Sequence, residues 1–224
     1  AMSTTTTSQS PTEFRLAIYR VVLAAAFLLV LSVFLAIPSY YQTTTLWYKT
    51  GVDRAMLLAA HYLGLVGLIL LYLQIILSAR GYFLDRLVGP VKLLRWHRLN
   101  GMALLVLAAS HILLVLVPEG LANLPLGKKF WPEMVGGALF IVIILLVGSS
   151  YFRQAIRLPY KIWKIFHRPA GYLAMLLVTV HVLFVSESFE QTIPRVLLLT
   201  LFILVVVWII SLKFMGGHKA GNSS

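Results

Sequence analysis

Six apolar runs set the terms for anything this chain can fold into. They extend from Leu16 to Ile37, Ala55 to Ser78, His97 to Val117, Met134 to Tyr151, Phe166 to Val185 and Pro194 to Leu212. A hydrocarbon layer ~30 Å thick takes about 20 apolar residues of helix to cross, and each run meets or approaches that length. With 60% hydrophobic and 12% charged residues, the chain carries too much apolar surface for a soluble domain built round one core. The expectation is an all-α integral membrane protein, a six-helix transmembrane bundle over residues 14–214. The Ser/Thr-rich stretch from Met2 to Ser10 makes residues 1–13 a disordered tail, and residues 215–224 form a flexible one. The first run exceeds the apolar region of a signal peptide and no A-x-A-like site follows it, so it reads as a retained helix. Ala1 ahead of Met2 reads as a remnant of expression.

A formal net charge of +12 would suggest nucleic acid in a soluble protein, but here the positive residues are sorted by loop. Arg80, Arg86, Lys92 and Arg95 lie between the second and third runs, and Arg153, Arg157, Lys161 and Lys164 between the fourth and fifth. The alternate loops set Lys49 beside Asp53, Lys128 and Lys129 beside Glu119 and Glu133, and Arg195 beside Glu187 and Glu190. The positive-inside rule then puts both termini and both basic loops in the cytoplasm. The partner implied is a lipid bilayer, with a bacterial inner membrane as the expected location and no nucleic acid.

Inside the third and fifth runs stand two histidine pairs of equal spacing, His97 with His111 and His167 with His181, each fourteen residues apart. At ~100° per residue, fourteen steps miss four full turns by only ~40°, so a pair shares one helix face across a rise of ~21 Å. One crossing separates the two runs, so they are parallel and like ends meet: His97 with His167 near the cytoplasmic boundary, His111 with His181 nearer the outside. Imidazole is a good iron ligand, and ionisable residues in membrane spans are functional suspects by default. Two stacked haems fit, one between each facing pair. The chain has no cysteine, which excludes iron–sulfur clusters, thiolate ligation and covalent attachment, so the haems are b-type. Ligation by two histidines fills both axial positions and suits outer-sphere electron transfer.

Other residues support this reading less specifically. Gly101, Ala108, Ala109, Ala170, Gly171 and Ala174 make room for macrocycles, or serve ordinary close packing of membrane helices. His61, on the second run near the level of the outer pair, reads as a propionate contact or a polar contact within the bundle rather than a ligand. Arg95, Arg98 and Arg168 either orient the chain or meet an inner propionate or an acidic partner. Trp47 and Trp131 fall on the outer side while Trp96 and Trp163 flank the inner pair; an interfacial belt explains all four, and the inner two are placed to pass electrons from a docked flavin. His218, near the end, reads as solvated.

The segments WHRLNGMALLVLAASH, from Trp96 to His111, and WKIFHRPAGYLAMLLVTVH, from Trp163 to His181, resemble the third and fifth helices of the ferric reductase-like transmembrane family. That family includes the membrane domains of NADPH oxidases and metal reductases and the haem subunit of the bacterial methionine sulfoxide reductase system. The resemblance runs from Arg54 onward. Arg54 opens the second run and Arg80-Gly81 closes it, a spacing similar to the second helix of NADPH oxidases, where the opening arginine sits beside the outer haem. By that likeness Arg54 lies at the outer acceptor site, stabilising an anionic acceptor or product; otherwise it is an interfacial anchor. Two positions depart from the oxidase pattern. Val115 stands where those enzymes carry a further histidine, and Leu173 where an aromatic residue is common, so superoxide as a dedicated product is not implied.

The resemblance implies transmembrane electron transfer from a cytoplasmic flavin/NAD(P)H donor, FAD included, to dioxygen, a ferric chelate or a periplasmic redox protein outside. No G-x-G-x-x-G element occurs in the chain, so the dehydrogenase part is expected on a separate protein or on a domain removed from this one. The ending from Gly216 to Ser224 fits a linker remnant. The competing reading is a quinol-oxidising cytochrome b subunit, since such subunits also carry paired histidines on parallel helices. A membrane scaffold or transporter whose histidines line a proton path is the third.

Overall fold

A backbone in hydrocarbon has no water to bond, so each N–H and C=O must find its partner within the segment, and helix is the local solution. The computed structural model describes residues 11–79, 82–120 and 124–220. In chain order these form α1 (Pro11–Tyr40), α2 (Thr45–Tyr48), α3 (Gly51–Ser78), α4 (Tyr82–Val88), α5 (Pro90–Glu119), α6 (Trp131–Phe152), α7 (Tyr160–Val185) and α8 (Thr192–Ala220), with single 3-10 turns at Lys128–Phe130 and Glu187–Glu190. α1, α3, α5, α6, α7 and α8 are long and apolar enough to cross a membrane. The protein is an all-α integral membrane bundle with α2 at one end and α4 at the other.

The helices outrun the apolar runs. α5 starts on Pro90, seven residues before His97, because Gly89 at φ 91° breaks the chain out of α4 and Pro90 is preset for a first helical turn. α7 starts directly after Pro159. Lys92, Arg95, Lys161 and Lys164, expected in loops, are therefore helical, and their long stems let the charged heads reach water from the end turns. α1 takes in residues 11–13, assigned above to the tail; Glu13 in its first turn suits the positive end of the helix dipole. α8 extends to Ala220, past the expected boundary at residue 214. The tail from Met2 to Ser10, the Arg80-Gly81 pair and the side chain of His218 lie outside the described residues.

α3 is the central helix: Ala60, Leu68 and Tyr72 are at most 2% exposed. It packs along α5 as one antiparallel pair while α6 packs along α7 as another, and α1 and α8 flank them. α5 and α7, which carry the four histidines, scarcely approach each other through their backbones. The pairs are joined where α5 meets α6 and where α3 meets α7, the buried Tyr72 hydroxyl lying 2.7 Å from Thr179 Oγ1. Because Thr179 spends its own proton on the Met175 carbonyl at 2.7 Å, Tyr72 is the donor.

Each end is tied down. Leu84 of α4 is buried with Leu77 and Leu93, Leu87 is buried as well, and Arg20 Nε donates to the Leu87 carbonyl at 2.7 Å, fastening α4 to α1. At the α2 end, Glu187 accepts from the Thr44 N–H at 2.6 Å and from its hydroxyl at 2.8 Å. Lys49 pairs with Glu119 at 3.2 Å. The outer surface is apolar, with Val106 62% and Leu145 63% exposed, as lipid requires.

Candidate functional site

Seven residues after the start of α5 the His97 ring projects toward His167, itself seven residues after the start of α7, and fourteen residues further along each helix His111 meets His181. The ring centroids are 6.3 Å apart in the first pair and 6.5 Å in the second, with the planes inclined at 65° and 88°. His97 and His167 lie toward the α4 end, His111 and His181 toward the α2 end. Between the two levels a cavity of about 50 Å³ sits among α3, α5, α6 and α7, edged by Gln74, Gly101, Leu104 and Gly171.

The second-level contacts differ between the pairs. His111 Nδ1 is 2.9 Å from the Ala60 carbonyl and His181 Nδ1 is 2.9 Å from the Pro132 carbonyl. A carbonyl cannot donate, so each Nδ1 carries the proton and each Nε2 keeps a bare lone pair. At the other level, Ser150 gives its proton to the Leu146 carbonyl at 2.6 Å, and its oxygen stands 3.4 Å from His167 Nδ1, a weaker version of the same arrangement. His97 is held through its backbone: Gln74 Nε2 donates to the His97 carbonyl at 3.0 Å and also stands 3.3 Å from His97 Nε2. Asn100 fixes Gln74 by donating to its Oε1 at 2.7 Å. A metal bound at His97 Nε2 would displace the longer of the two Gln74 contacts and leave the carbonyl bond in place.

Donor chemistry and spacing fit a metal between the rings. Two ~2.0 Å metal–nitrogen bonds and two imidazole half-widths separate centroids by roughly 6 Å, which both pairs match. Among the described residues no three His, Cys, Asp or Glu side chains gather to hold a bare ion. Paired imidazoles would hold an iron whose remaining positions came from a porphyrin. The Trp163 indole stacks on His167, centroids 4.3 Å apart at 28°, and its buried N–H finds no hydrogen-bond partner among the described residues. Tyr160 stacks on Trp163 at 5.6 Å and the Arg153 guanidinium lies 5.6 Å over Tyr160, so an aromatic ladder leads from the α6–α7 turn to His167.

Residues 63–178, just over half of the 224-residue chain, match the family profile described as ferric reductase like transmembrane component. The chain belongs to that family. Neither the curated proteins nor the solved structures yield a match to it. The ferric reductase-like family generally binds haem, and its membrane component is built for electron transfer across a bilayer. The matched stretch contains His97, His111 and His167 and ends three residues before His181.

Other expected site residues are placed less pointedly in this ferric reductase-like chain. Arg54 is exposed in the first turn of α3, and Arg98 and Arg168 are exposed beside the first histidine pair. His61 is partly buried on α3, next to the carbonyl that holds His111 and within electrostatic range of Glu187. Trp96 is 49% exposed, unlike Trp163, and Leu173 is 45% exposed rather than enclosed between the pairs. Gly101 serves the α3–α5 contact, since a Cβ there would lie 3.2 Å from the Gln74 amide. Gln74, Asn100 and Ser150 escaped the reading of the sequence. One signal was available: a glutamine within an otherwise apolar run costs several kcal/mol unless it is bonded, so its partner is worth seeking.

Proposed function

We propose that this ferric reductase-like chain carries electrons across the bilayer through two b-type haems, one held by His97 and His167 and the other by His111 and His181. The observation that carries this reading is the repeated ring separation of 6.3 and 6.5 Å between helices that otherwise stay apart. Bound there, the haems would pass electrons singly between a cytoplasmic donor and an outer acceptor. The α4 end, richer in Lys and Arg, is the cytoplasmic one, which puts both termini inside, in a bacterial inner membrane. A flavin/NAD(P)H dehydrogenase domain or protein, carrying FAD, supplies electrons there. Dioxygen, a ferric chelate or a periplasmic redox protein takes them at the other end. The chain's own contribution is to fix cofactor position and exclude water.

Roles follow from position. Arg98 and Arg168 stand at the level of the inner pair with exposed heads that would meet propionates, while His61 lies beside the carbonyl that holds His111 and would meet an outer propionate. Arg54, exposed at the α2 end, places a fixed positive charge where an anionic acceptor or product would gather. Trp163 is the residue of the α4 end in ring contact with a ligand. Trp163→Leu is expected to slow reduction of the inner haem by reduced flavin several-fold with the Soret band unchanged, and Trp96→Leu to have little effect. Equal effects in stopped-flow would remove the ladder from the account.

The deciding experiment for the donor uses purified chain in lipid nanodiscs, mixed anaerobically with reduced flavin or with a menaquinol analogue. Fast haem reduction by flavin and slow reduction by quinol is the expected result. The reverse would replace this reading with a quinol-oxidising cytochrome b.

A further inference from the structure

The two outer ligands are held by the same device on different helices. His111 reaches across to the Ala60 carbonyl on α3, and His181 reaches across to the Pro132 carbonyl on α6. In an α-helix a carbonyl at position i is already engaged by the N–H at i+4, which here belongs to Gly64 and to Gly136. The imidazole therefore has to approach the second lone pair of an occupied carbonyl, along the flank of the residue one turn later. Both of those residues lack a side chain. A Cβ built at Gly64 would stand 3.1 Å from His111 Cε1 and 3.2 Å from Nδ1; one at Gly136 would stand 2.6 Å from His181 Nδ1 and 3.0 Å from Nε2. The neighbouring glycines differ. Neither Gly67 nor Gly137 would bring a Cβ within 4 Å of anything.

We propose that Gly64 and Gly136 are positioning residues for the outer haem: each opens a seat on its helix in which an imidazole donates Nδ1–H to the carbonyl four residues earlier and presents Nε2 to iron. The inference rests on the haem reading above, and deepens it by assigning ligand orientation to two residues that touch neither iron nor substrate. The physical logic is that of an outer-shell acceptor on a metal-bound histidine, which fixes the tautomer, holds the ring plane and makes the ligand more basic. The two seats set the imidazole planes 88° apart, and near-perpendicular axial ligands give low-spin ferric haem a strongly anisotropic electron paramagnetic resonance signal. At the other level His167 Nδ1 faces a serine oxygen at 3.4 Å and His97 is engaged by Gln74, so the glycine seats described here are those of the outer pair.

The test compares Gly64→Ala and Gly136→Ala with Gly67→Ala and Gly137→Ala in the full chain. Helix propensity alone favours alanine at all four positions, so loss at two of them cannot come from the helix. Gly136→Ala, with the closer clash, is expected to lower haem content toward one per chain. Gly64→Ala is expected to keep both haems while shifting the anisotropic signal and midpoint potential of one. Gly67→Ala and Gly137→Ala should match the parent in both readouts. An unchanged outer signal and potential in Gly136→Ala would overturn the proposal, as would equal disturbance in the two controls. A second measurement separates this failure from failure of the haem reading. In apoprotein labelled with nitrogen-15 histidine, the Nδ1-protonated tautomer should be seen for His111 and His181 and be lost for His181 alone in Gly136→Ala. That pattern in a chain unable to take up haem would preserve the seat and sink the cofactor; its absence in a chain that binds two haems would do the opposite.

Discussion

Replacing His111 or His181 with alanine is expected to remove the outer haem or leave its iron with one axial ligand. Haem per purified chain falls from two toward one, or the retained haem gains a carbon monoxide-sensitive Soret shift that the parent lacks. Electron delivery to the α2 end drops by orders of magnitude, because the two histidine levels are separated by ~21 Å of helix rise and the intermediate station is gone. Reduction of the inner haem by flavin should persist. The equivalent changes at His97 or His167 should abolish reduction of both haems by flavin, since the entry station is lost. The asymmetry matters more than the loss. If His111→Ala and His97→Ala impaired flavin reduction of the remaining haem alike, electrons would not enter at the His97 level. The double contact of Gln74 adds a graded case. Gln74→Leu leaves the His97 ligand free of a competing donor but removes the tether on its carbonyl, so it should shift the potential of the inner haem and spare the outer one.

Leu68→Ala is expected to be the most destabilising change away from the histidines, by about 2–4 kcal/mol. Leu68 is 0% exposed on α3, at the centre of the core cluster that α1, α5, α6, α7 and α8 all join. Between membrane helices the hydrophobic effect gives little, because lipid tails are as apolar as leucine, and what truncation removes is packing contact that nothing replaces. Leu145→Ala is the matched comparison: Leu145 is 63% exposed on α6 and faces the lipid side, so its truncation should cost less than ~0.5 kcal/mol. Thermal unfolding in one detergent, followed by fluorescence, gives both values. Equal melting points for the two variants would contradict the packing described for α3.

The bundle was legible from the six runs because hydrocarbon leaves a backbone so few options. Helix ends were less so: α5 starts on Pro90 and α7 directly after Pro159, well before the apolar runs, and only cap chemistry, not hydropathy, carries that signal. α4 was read as loop because seven residues with two buried leucines give too short a pattern to separate from connection. At the candidate site, fourteen-residue spacing together with parallel spans indicated which rings would face each other, and the rings do face in those pairs. What holds the rings could not be read. The partners of His111 and His181 are backbone carbonyls, which every residue possesses, and the glycines that expose them announce nothing unless the helix opposite is known. Trp163 and Trp96 looked equivalent in sequence; only the placement of α7 against the pair puts one on His167 and the other at the surface.

The most direct measurement is a reductive titration of the purified chain with haem quantified by pyridine haemochrome. Two haems per polypeptide, reducing in two resolvable steps of which the His111→Ala variant loses or shifts one, is the predicted result. A single haem per chain, or a chain that shows no Soret band and gains none when haem is added, would contradict the account.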